Sequence, residues 1–94
     1  MGTADGGGGR DDRRRVLAQA LAGSPNIHFT ALVALAEGFG FQLARINGSH
    51  HIFTHPALPT PLNLQEVAGK AKPYQIRQLL KLVELYQLTL ENTP

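Results

Sequence analysis

Apolar positions recur at helical spacing in two places along this chain, with a looser alternation between them. Leu32, Leu35, Ala36 and Phe39 follow one another at intervals of three, one and three residues, which places them on one face of an α-helix. Thr30 stands where a helix cap is expected. Gly38 and Gly40 bracket the exit, and either can take the left-handed position that closes a helix. The second set is Ile76, Leu79, Leu80, Val83 and Tyr86, with Arg77, Lys81 and Glu84 turned away. It follows Pro73, whose missing N–H is harmless in a first helical turn.

Between the two helices the period changes. Residues 41–46, FQLARI, alternate at their start as a strand does, and Asn47-Gly48 is a strong hairpin dipeptide. HHIFTH, residues 50–55, reads as the returning strand. Pro56, Pro59 and Pro61 define a stiff loop with no place in a central strand, and Leu62 to Gln65 supply a short third strand. Gly69 to Lys72 reads as a basic connector. Upstream, RRRVLAQAL at residues 13–21 reads as an accessory helix, stopped by Gly23-Ser24-Pro25. The predicted fold is α+β: helix, three antiparallel strands, helix, with an extra N-terminal helix. Both major helices cover one sheet face and the other face is open. Residues 1–12, rich in glycine, are expected to form a flexible tail, residues 13–26 the accessory helix and linker, and residues 27–90 the domain.

Composition narrows the chemistry. With 94 residues and no cysteine, the chain is one thin-cored domain. Disulfide scaffolds, thiol catalysis and thiolate metal sites are excluded. No apolar run reaches the length of a membrane span, and charged residues arrive too early for a secretory leader, so a cytoplasmic location is expected. Nine basic and seven acidic side chains give a net charge of +2, which permits a nucleic-acid partner only if the cations are grouped.

Three of the four histidines lie within residues 50–55. In a strand His50 and His51 point to opposite faces, and His51 and His55 stand about 13 Å apart by strand rise, too far to share one metal ion. No carboxylate is near in sequence, so neither metal nor cofactor is expected. An imidazole that titrates near pH 6.5 suits general acid–base work. Without a cysteine or a triad, the chemistry that fits a histidine with lysine and arginine is cleavage of RNA, where the substrate's 2′-hydroxyl is the nucleophile. Lys70, Lys72 and Arg77, at the mouth and first turn of the last helix, are candidate phosphate contacts, with Ser49 beside the histidines as a further RNA contact. His28, isolated before its helix, reads as structural or idle.

Residues 38–56, GFGFQLARINGSHHIFTHP, resemble the HicA (YcfA-like) toxins of bacterial toxin–antitoxin systems, in a divergent branch. The resemblance rests on Gly40-Phe41 and on Gly48-Ser49-His50-His51-Ile52-Phe53, and it continues through AKPYQIRQLLKLVELY at residues 71–86. It implies a fold like the double-stranded-RNA-binding domain, α-β-β-β-α. It also implies an mRNA interferase that cleaves without needing the ribosome, and a cognate HicB-like antitoxin that masks its active site. By the same resemblance the essential histidine is the second of the pair, His51, and His50 is the more permissive neighbour. Parity qualifies this. If Ile52 packs under the helices, His51 and Phe53 face the open side; if Phe53 is the core residue, the assignment inverts. A non-catalytic RNA-binding or antitoxin-binding domain on the same fold is the alternative, and a partner strand added to an open sheet edge is a third.

Overall fold

The computed structural model describes residues 8–90, with side chains from Arg13 onward. The elements are α1 (Gly8–Leu21), α2 (Phe29–Gly38), β1 (Gln42–Asn47), β2 (His50–Thr54), β3 (Leu62–Val67), β4 (Lys70–Ala71) and α3 (Pro73–Leu85). Part of the segment read as a tail, residues 1–7, lies outside the described residues, and α1 begins at Gly8. The α+β class holds, but the strand count is corrected. The sheet has four antiparallel strands in the order β1-β2-β3-β4, and the segment read as a connector contains the fourth.

Turn chemistry explains that fourth strand. Val67 pairs with Lys70 across a two-residue loop, in which Ala68 and Gly69 both have positive φ, 53° and 75°. Positive φ at both central residues is the twist-matched type I′ geometry. The β1–β2 turn differs. Asn47 pairs with His50, so the central residues are Gly48-Ser49 and not Asn47-Gly48. Gly48 has φ +60° and Ser49 does not share the positive region, as in a type II′ turn.

Helix ends follow a common pattern. Gly23 and Gly40 are left-handed, with φ of 80° and 98°. Ser24 N–H donates to the Gln19 carbonyl and Gly23 N–H to the Ala20 carbonyl, and likewise Phe41 N–H to Ala36 and Gly40 N–H to Glu37, the paired bonds of a Schellman ending. At the start of α2 the cap is His28, which makes no side-chain capping bond; Thr30, expected there, lies one position inside the helix.

The core lies between the sheet and α2 and α3. Phe29, Leu32 and Leu35 from α2, Phe53 from β2, Leu62 and Leu64 from β3, and Ile76 and Leu79 from α3 are all buried. Phe53 and Leu64 are 0% exposed, which assigns one face of β2 and β3 to the helices by alternation. Helix α1 packs on this layer through Ala20, Val16 and Leu17, and the Arg13 Nε–H donates to the Ala34 carbonyl of α2 at 3.0 Å. No described helix is long and apolar enough to cross a membrane.

Candidate functional site

Burial of Phe53 decides where each histidine stands. Phe53 and His51 share the helix side of β2, whereas His50, Ile52 and Thr54 share the open side. Of the two parities left open by the sequence, the second is the one observed.

His55 is committed to the fold. Its Nε2–H donates to the Phe39 carbonyl at 2.9 Å, and its Nδ1 accepts from the Ala57 N–H at 3.0 Å. Both ring nitrogens are used, and the ring edge meets Phe41 with centroids 4.9 Å apart. His51 is half-buried, tilted against the Phe29 ring at a centroid distance of 4.7 Å. Its Nδ1–H donates to the Ser49 carbonyl at 3.3 Å. Its cross-strand neighbours are Ile46 and Leu64, an apolar setting for a proton-transfer group.

His50 is exposed, paired with Asn47 on one side and Gln65 on the other. Its Nδ1 lies 3.2 Å from Asn63 Oδ1. A carbonyl oxygen only accepts, so Nδ1 carries hydrogen and the ring is held in a defined orientation. Nε2 is then the nitrogen directed away from this bond, with no partner among the described residues. It can accept a proton.

Cross-strand register brings cations to the same face. Arg45 pairs with Ile52, diagonal to His50 and on its side of the sheet. Lys70 pairs with Val67, two places along β3 from Gln65, and also lies on the open side. Both side chains are exposed. The only carboxylate on the four strands is Glu66, and because it pairs with buried Ala71, it belongs to the helix side. The open face therefore combines an imidazole, a guanidinium and an ammonium with the polar side chains Asn47, Asn63 and Gln65, and no carboxylate from the strands.

The other expected site residues are dispersed. Lys72 is the exposed N-cap of α3. Ser49 lies in the turn, where its Oγ accepts from Gln65 Nε2 at 3.4 Å. Arg77 lines a groove with Leu17, Leu21 and Leu80 between α1 and α3, in the helix layer and away from the open face. Arg45 and Asn63 were not singled out by spacing. The signal that finds them is strand register, since both flank the open-side residues of β2.

No curated protein and no solved structure matches the chain. A family model described as HicA toxin of bacterial toxin–antitoxin matches residues 30–85, which takes in α2, the sheet and α3. With more than half of its length matched, the chain belongs to the HicA toxin family.

Proposed function

We propose that the protein is an endoribonuclease toxin that cleaves mRNA on the open sheet face, with His50 as the general acid–base group. The observation that carries this reading is the setting of His50: exposed, oriented through Nδ1 by Asn63, with Arg45 as its diagonal neighbour and Lys70 two strands away on the same face. His51, favoured by the family resemblance, stands against Phe29 on the helix side, where the strands offer no cation.

The chemistry suits a small open surface. The His50 Nε2 takes the proton from a ribose 2′-hydroxyl as that oxygen attacks the adjacent phosphorus. The bond from phosphorus to the 5′-oxygen breaks, and the imidazolium returns the proton to that oxygen. One fragment ends in a 2′,3′-cyclic phosphate and the other in a 5′-hydroxyl. Arg45, diagonal to His50, offsets the charge that grows on the phosphate, while Lys70, two strands away, adds positive potential to the same face, so no deep pocket or protein nucleophile is needed. A cognate HicB-like antitoxin neutralises the toxin by covering this face.

The test is incubation of the purified protein with a defined RNA, followed by analysis of product ends. Cyclic or 3′-phosphate ends that disappear in His50→Ala protein support the reading. RNA bound without cleavage points instead to a non-catalytic RNA-binding domain.

A further inference from the structure

His28 initiates α2 without capping it; its backbone is extended, at φ −67° and ψ 148°, and its imidazole makes no capping bond. The backbone around it is instead joined to β4. His28 forms an antiparallel bridge with Lys70, the Ala71 N–H donates to the Ile27 carbonyl at 3.0 Å, and the Phe29 N–H donates to the Gly69 carbonyl at 2.9 Å. Residues 27–29 thus extend the sheet by one edge beyond β4.

Residues directly opposite in an antiparallel bridge project to the same face. His28 therefore joins Lys70 on the open side, the side of His50. Both side chains are exposed, and neither has a hydrogen-bond or ion-pair partner among the described residues. An imidazole N–H and an ammonium set directly opposite each other are two donors beside one space, and Glu66, the nearest strand carboxylate, lies on the other face. An anion between them accepts from both.

His28 is separated from His50 by three strand spacings and two residues of rise, about 16 Å. One phosphate cannot touch both. We propose that His28 and Lys70 form a second phosphate-binding position, which holds another phosphodiester of the same RNA and directs the strand across the sheet rather than along it. This assignment rests on the RNA-cleaving reading above. It makes the substrate an RNA longer than a dinucleotide, since a dinucleoside monophosphate has one phosphate and fills one position only.

The experiment titrates a 2′-O-methyl hexanucleotide and a 2′-O-methyl dinucleoside monophosphate, which cannot be cleaved, into parent, His28→Gln and Lys70→Gln protein. Each variant is expected to lose roughly tenfold in hexanucleotide affinity, so that the advantage of hexanucleotide over dinucleoside shrinks. Hexanucleotide binding by His28→Gln equal to that of the parent overturns the second position and leaves the RNA-cleaving reading standing. A parent with no salt-dependent affinity for the hexanucleotide overturns both.

Discussion

The imidazole of His55 occupies the space where a side chain on Gly40 would lie. A Cβ at Gly40 would stand 2.9 Å from His55 Nε2, and the Gly40 backbone has φ +98°. The same ring ties the end of α2 to the loop after β2 through Phe39 and Ala57. Gly40→Ala is expected to destabilise the fold by about 2 kcal/mol through strain and collision. His55→Ala should cost about 2 kcal/mol through its two lost hydrogen bonds. Urea denaturation checks both, and parent-like midpoints would contradict this role for the pair.

Ala68 holds a left-handed conformation, φ 53°, in the loop that creates β4. Asparagine tolerates that region better than alanine. Ala68→Asn is expected to raise stability by about 1 kcal/mol, read as a higher thermal midpoint. A lower midpoint would show that the Ala68-Gly69 turn is not what limits this hairpin.

Gln75 is buried at 3% exposure on α3, and its Oε1 has no hydrogen-bond partner. Its amide nitrogen reaches the hydroxyl of Tyr74 at 3.3 Å, a group exposed enough to be hydrated. Gln75→Leu removes the unsatisfied acceptor and keeps a good helix former, so a gain of about 1 kcal/mol is expected. Calorimetry distinguishes this from the loss expected if the amide were holding the helix in place.

The sequence made the helices and the β1–β2 hairpin legible because their apolar periods and glycines are strong local signals. The fourth strand left no such signal, since it is two residues long and its turn places an alanine where glycine or asparagine is usual. The faces of β2 were illegible for a different reason. His50-His51-Ile52-Phe53 sets two histidines before two apolar residues, so either parity buries one apolar side chain. Only packing against α2 and α3 selects Phe53. In β1 the register shifts between Leu43 and Arg45, so Leu43 and Ile46 come to the helix side although three residues apart. That irregularity sets the face of Arg45. Sequence proximity joined Lys70, Lys72 and Arg77, whereas the sheet joins Arg45 with Lys70 across distant parts of the chain.

That regrouping has a binding consequence. Arg45→Gln and Lys70→Gln are each expected to weaken RNA binding and to reduce the slope of log affinity against log salt by about 0.7. Arg77→Gln, in the groove between α1 and α3, should leave both quantities near the parent values. Titrations at several salt concentrations check this. Dominance of Arg77 would move the RNA site to the helix layer.

The most direct measurement is the cleavage rate of one defined mRNA segment by parent, His50→Ala and His51→Ala protein at equal concentrations of folded chain. Open-face chemistry predicts that His50→Ala loses at least about a hundredfold in rate, while His51→Ala cleaves close to the parent rate. Parent-like cleavage by His50→Ala, with loss of cleavage in His51→Ala, would contradict it.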